Sequence, residues 1–182
     1  MNLLVVAASW CVTGVSTRVR TTVWLSVRNA LPEVRVNVRR LDPELPLPRY
    51  ARDGDAGVDL CARVDTVLEP GARFLMPTGL AIAVPRGFVG LVHPRSGLAI
   101  RHGVTVVNAP GTIDAGYTGE VCIPLINVDR SEAFTITRGD RIAQLVLQEV
   151  ASIVWNEVDE LDSTERGESG FGASGGFGER RD

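Results

Sequence analysis

From Val36 onward the chain is a succession of short apolar runs, each stopped by Gly, Pro or Asp before it reaches the length of an ordinary helix. Runs of this kind, rich in Val, Ile and Leu and bounded by turn formers, read as strands. The candidates are Val34–Leu41, Gly57–Ala62, Arg73–Met76, Leu80–Val84, Val89–His93, Val104–Ala109, Glu120–Asn127, Phe134–Thr137 and Ile142–Val150. No amphipathic stretch longer than two turns interrupts them, and Ile100–Val104 is read as non-helical. The pattern predicts an all-β domain, a jelly-roll-like barrel or sandwich. The 19 glycines and 10 prolines fit that reading, because each bend between short strands needs a residue that accepts it.

At 182 residues the chain has room for one domain with a full core, plus tails. Residues 1–36 stand apart as an extension: an apolar start, shorter than a membrane span and without the basic opening of a secretory signal, then scattered Arg, Thr and Val. A flexible extension or a start placed too far upstream is the favoured reading, with a cryptic targeting segment as the third. The β domain is expected over 37–157. Residues 158–182 form an acidic linker and a Gly-rich arm, which cannot hold a fold alone and is expected to be mobile until something binds it.

A net charge of −3 gives no general attraction to nucleic acid or to an anionic membrane. All 19 basic residues are Arg, so any phosphate must be clamped by guanidinium groups. Cys11, Cys61 and Cys122 are odd in number and lack metal-ligand spacing, which points to a reducing cytoplasm. Cys61 and Cys122 sit in apolar runs as small hydrophobes.

Four segments carry polar groups where a core alone does not require them. Gly111–Glu120 reads as a hairpin with Asp114 at its centre, where an Asp is either a turn former bonded to its own backbone or a carboxylate held for chemistry. Pro94-Arg95-Ser96-Gly97-Leu98-Ala99 offers a guanidinium, a hydroxyl and free backbone donors to phosphate oxygens, or is a polar turn with a solvent-facing Arg. Gln144 interrupts an apolar strand and needs partners, from backbone or from a ligand. Asp59 in Ala56-Gly-Val-Asp-Leu60 poses the same choice between a structural ion pair and a functional acid. In the tail, Arg166 and Phe171 among glycines suit a flap that carries a cation and a ring.

Together and in this order, these segments resemble the five motifs of the trimeric dUTP pyrophosphatases: Ala56–Leu60, Pro94–Ala99, Asn108–Tyr117, Arg138–Gln144 and Arg166–Gly172. The resemblance implies hydrolysis of dUTP to dUMP and pyrophosphate, keeping uracil out of DNA and supplying dUMP for thymidylate synthesis. It makes Asp114 the general base for in-line attack on the α-phosphorus. It implies Mg²⁺ held mainly by the substrate's phosphates, with Asp59 acting through water. Arg95, Ser96, Gly97 and Gln144 would contact the phosphate chain, with Arg166 at its outer end. Asn108, with Gly111, Thr112 and Ile113, would read uracil; Tyr117 would lie under the sugar and Phe171 would stack over the base. The resemblance further implies a homotrimer with shared active sites, and neither nucleic acid nor membrane as partner. Ser169 and Ala173 depart from the usual tail motif and alter the expected closure of the arm. A dCTP deaminase and a non-catalytic nucleotide sensor are the rival readings. Release of ammonia from dCTP would mark the first, and dUTP binding without turnover the second.

Overall fold

A computed structural model describes residues 33–168 of the chain. The expectations placed on residues 1–32 and on Ser169, Phe171 and Ala173 fall outside them. The chain divides between Val34 and Arg35, and every strand belongs to the second unit. In order, the elements are β1 (Asn37–Arg40), β2 (Gly57–Cys61), β3 (Thr66–Leu68), β4 (Arg73–Ala83), β5 (Phe88–Pro94), α1 (Ser96–His102), β6 (Val104–Val106), β7 (Gly111–Ile113), β8 (Glu120–Asn127), β9 (Phe134–Ile136) and β10 (Arg141–Glu149). They form two four-stranded sheets, ordered β1-β4-β8-β6 and β2-β10-β5-β7, and a β3-β9 ribbon, with antiparallel pairing throughout. The domain is all-β, as its turn-punctuated sequence predicts.

One strand shows how the sequence sets the layers. Along β8, Val121, Ile123, Leu125 and Asn127 are buried while Cys122, Pro124 and Ile126 face outward, the period-two alternation of a strand with one face in the core. Leu125 and Ile123 meet Met76 of β4, Ile136 of β9 and Ile142 of β10 in a single apolar cluster. Each such side chain, fully buried, contributes roughly 2 kcal/mol of transfer free energy. Asn127, at the end of the same row, is fully buried and fully used: its Nδ2 donates to the carbonyls of Leu68 and Glu132 at 2.9 and 2.8 Å, and its Oδ1 accepts the Asp129 N–H at 2.9 Å. It ties the ribbon's turn to the sheet without leaving a polar atom unpaired.

β4 is a single strand where the sequence read two, Arg73–Met76 and Leu80–Val84. Pro77 and Gly79 look like a break, but the sheet absorbs them in a bulge. Pro77 stands opposite Cys122 and Ala81 opposite Glu120, so four steps on β4 match two on β8. Gly79 takes φ +72°, and a Cβ there would lie 2.8 Å from the Asp42 Cβ. Its carbonyl accepts the N–H groups of Leu41 and Asp42. Two further strands, β3 and β7, are additional to those the sequence predicts.

The segment read as non-helical contains α1, which runs into Ile100–His102 and closes on Gly103 in the left-handed conformation. Two turns with no acidic first turn and no side-chain cap carry no sequence signal. Its support is tertiary, through Leu98 against the core. The "hairpin" is also corrected. β7 pairs with β5, and β8 lies in the other sheet, so Gly111–Glu120 is a bend that crosses between sheets.

Asp42, beside the bulge, receives both the Arg138 guanidinium at 2.9 Å and the Glu44 N–H at 3.2 Å, with Arg63 at 3.6 Å. Desolvation pushes its pKa up, but the Glu44 and Arg138 hydrogen bonds and the charges of Arg138 and Arg63 bring it net below the ordinary carboxylate value. A carboxyl depressed in the folded state stabilises above its unfolded pKa, and that stability is lost as pH falls through the folded value. The melting temperature is therefore expected to fall on acidification below about pH 4, and Asp42→Asn to shrink that fall, as read from melting curves at stepped pH.

Candidate active site

Two clusters of polar groups stand out, and both grow from strand ends. The first lies where the 111–120 bend leaves one sheet for the other. A cavity of about 240 Å³ opens there, with an apolar floor from Val92, Val106, Ile113, Val121 and Pro124 and a polar rim from Asn108, Asp114, Tyr117 and Glu120. Gly111 and Thr112 complete one wall, paired to Val92 and Leu91 of β5. This is room for one small ring system with its sugar, and the apolar floor with a few convergent polar groups is the usual make-up of a ligand site.

Asp114 is exposed at the rim, and its carboxylate has no hydrogen-bond partner among the described residues. Only its main-chain carbonyl is engaged, by the Tyr117 N–H at 3.2 Å. The alternative of a turn former whose side chain bonds its own backbone therefore does not describe it. Tyr117 folds back along the bend, and its hydroxyl donates to the Glu120 carbonyl at 2.8 Å. Glu120 is turned the other way: its Oε1 accepts the Gly79 N–H at 2.8 Å, and Arg63 Nη1 lies 3.3 Å from both oxygens.

The second cluster gathers the ends of β2, β5 and β10. Gln144 on the central strand stands opposite Asp59 on one side and His93 on the other, so the three form one row across the sheet. Asp59 lies between two guanidiniums, with Arg95 Nε at 2.8 Å on one oxygen and Arg141 Nη1 at 3.1 Å on the other. Arg95 also donates to the Arg141 carbonyl at 3.2 Å. Gln144 Nε2 donates to the Pro94 carbonyl at 3.1 Å, the backbone partner that its place in an apolar strand demanded. Ser96 and Gly97 form the first turn of α1, directly after Arg95.

The sequence-chosen residues thus separate into two groups. Asn108, Gly111, Thr112, Ile113, Asp114 and Tyr117 line the first cavity. Arg95 lines another, of about 230 Å³, with Arg141, Asp140, Leu98, Phe134 and Ile142. Arg166 is exposed and takes part in an interaction of its own. Sequence reading missed Glu120, Arg63 and Arg141. Glu120 and Arg141 sit beside chosen residues, but only the fold reveals that one anchors the bend and the other shares Asp59.

Among the described residues no group of three or more His, Cys, Asp or Glu side chains could hold a metal ion by itself. With both Asp59 oxygens already taken by guanidiniums, this donor set fits a cation brought in and chelated by a polyphosphate, reached from the protein through water. It does not fit a dedicated protein cage.

A family model described as dUTPase matches residues 43–175. The deoxyuridine 5'-triphosphate nucleotidohydrolase of Thermobifida fusca is 60% identical over 143 residues, covering 79% of this chain and 80% of that protein. That of Corynebacterium glutamicum is 59% identical over 140 residues, covering 77% and 94%. Among solved structures, a mutant dUTPase of Staphylococcus bacteriophage 80alpha with dUpNHpp superposes with a TM-score of 0.72 at 30% identity, covering 78% of this chain and 98% of that one. A mutant dUTPase from phage phi11 of S. aureus, described as revealing the coordination of a structural Mg(II) ion, gives 0.66 at 26% identity, covering 71% and 100%. Ordered motifs, an all-β frame and relatives near 60% identity agree, and the chain belongs to the dUTPase family.

Proposed function

We propose that the protein hydrolyses dUTP to dUMP and pyrophosphate, with Asp114 as the general base. The observation that carries this is the Asp114 carboxylate, exposed and without a hydrogen-bond partner among the described residues, at the rim of a cavity whose other polar groups are Asn108, Tyr117 and Glu120. Uracil sits on the apolar floor, its polar edge met by Asn108 and by backbone of Gly111–Ile113. Tyr117 lies against the sugar and leaves no room for a 2′-hydroxyl. Such selection works by exclusion and unpaired polar groups as much as by attraction.

The water that attacks the α-phosphorus gives its proton to Asp114 as the new P–O bond forms. The bond from the α-phosphorus to the oxygen bridging to the β-phosphorus breaks, and pyrophosphate leaves with that electron pair. Mg²⁺ carried in with the triphosphate would supply charge neutralisation, and Asp59 would hold it through water. Arg95, the Ser96 hydroxyl, Gly97, Gln144 and Arg166 orient the phosphates, and Phe171 covers the base. Orientation and charge stabilisation are most of what phosphoryl transfer asks of a protein. Glu120 is no rival proton carrier, since both its oxygens are held by Gly79 and Arg63.

The working form is a homotrimer with shared sites. Asn108, Asp114 and Tyr117 line one cavity and Arg95 another, which supports sites completed by a neighbour's cluster. In addition Ile153, Val154 and Trp155 stand 72, 90 and 87% exposed on a segment without regular structure, apolar surface that asks for cover. The catalytic domain spans 37–157, preceded by an extension and followed by an arm at 158–182. Free Cys61 and Cys122 accord with a cytoplasmic setting.

Pyrophosphate release from dUTP, dTTP, dCTP and UTP, with and without Mg²⁺, tests the proposal. Release from dUTP alone, dependent on Mg²⁺, is expected. Ammonia from dCTP, or dUTP bound without turnover, would replace it with a deaminase or a sensor.

A further inference from the structure

We infer that Glu120 is a positioning residue for sugar selectivity: its carboxylate, held by Gly79 and Arg63, fixes the backbone carbonyl that receives the Tyr117 hydroxyl. This rests on reading Tyr117 as the wall that meets the sugar.

Tyr117 is 47% exposed, so core contacts do not hold it in place. Two local features do. Gly119 lies beneath it, and a Cβ at that position would come within 2.6 Å of the Tyr117 hydroxyl and 2.8 Å of Cζ, so the ring rests directly on the glycine backbone. Ahead of it, the hydroxyl donates to the Glu120 carbonyl at 2.8 Å. A hydrogen bond at an exposed site contributes little orientation unless its acceptor is itself immobile, because water competes for both partners.

Glu120 is immobile because of the bulge in β4. Its Oε1 accepts the N–H of Gly79, and Arg63 Nη1 reaches both of its oxygens at 3.3 Å. Arg63 is fixed in turn by Asp42, at 3.6 Å from its Nε, and by its own N–H, which donates to the Pro77 carbonyl at 2.9 Å. One residue further, the buried Thr78 hydroxyl donates to the Val121 carbonyl at 2.7 Å. The start of β8 is therefore clamped to the bulge on both sides of the Glu120 peptide. An acid at the mouth of a nucleotide site turned wholly toward a backbone amide and a guanidinium is placed to hold the wall still, not to exchange protons.

The test measures kcat and KM for dUTP and for UTP on the full-chain protein. The variants are Glu120→Ala, Glu120→Gln, Tyr117→Phe and the Glu120→Ala/Tyr117→Phe double. Glu120→Ala is expected to lower the dUTP-over-UTP ratio of kcat/KM about tenfold, with KM for dUTP rising more than kcat falls. Glu120→Gln, whose amide oxygen still accepts from Gly79, is expected to stay within about threefold of wild type. Tyr117→Phe should match Glu120→Ala, and the double should add nothing, since both changes cut one linkage. An unchanged ratio in Glu120→Ala, or effects that multiply in the double, overturns the inference. If Glu120→Ala does not fold, Arg63→Met takes its place, with the same expected direction and the same overturning result. A wild type that does not discriminate between dUTP and UTP overturns the reading of Tyr117 itself. Discrimination lost in Tyr117→Phe but kept in the Glu120 and Arg63 variants sinks only the role of Glu120.

Discussion

Replacing Asp114 by Asn is expected to cut dUTP turnover by about 10²–10⁴-fold, the range that general-base catalysis supplies. The carboxamide keeps the size and place of the carboxylate but cannot take the proton of the attacking water. Folding should not notice the change. The side chain is exposed and has no hydrogen-bond partner among the described residues, so the melting temperature and oligomeric mass should match wild type. Affinity for a non-hydrolysable dUTP analogue, read by calorimetry, should stay close to wild type. Unchanged turnover would place the base elsewhere. A lowered melting temperature would make Asp114 a member of the turn instead.

Ending the chain at Glu165 is expected to lower kcat by roughly a hundredfold or more, because the proposed cation at the outer phosphate and the proposed cover of the base are lost together. Residues 151–168 are exposed and carry no regular secondary structure, so their far end adds little to the fold. The melting temperature should move by no more than a degree or two. A pre-steady-state burst with both chains would locate the loss in the chemical step or in release. If the shortened chain melts early, the tail is part of the fold and not an arm.

The strands were legible where one face is buried without interruption. β8, with Val121, Ile123, Leu125 and Asn127 alternating inward, has the limits read from the sequence. Three kinds of feature were not legible. α1 depends on Leu98 meeting the core, a tertiary fact that a seven-residue helix without capping signals cannot announce. The 111–120 segment has the turn residues of a hairpin, and nothing local says that its two arms join different sheets. Pro77 and Gly79 look like the end of a strand because the bulge that accommodates them is formed with β8, far along the chain. The candidate site residues were chosen by their order along the sequence. Their division between two cavities belongs to the fold, as do the partnerships of Asp59 with Arg141 and of Glu120 with Arg63.

The bulge in β4 carries two residues more than the facing stretch of β8, and two is the one small number a strand tolerates without changing sides. Phe74, Met76, Thr78, Leu80 and Ile82 thus keep one facing throughout, with Leu80 and Ile82 still in the apolar cluster. Length changes at this point are therefore quantised. Removing a pair of residues would flatten the kink and spare the core. Removing one would turn the rest of the strand over and take Leu80 and Ile82 out of the apolar cluster.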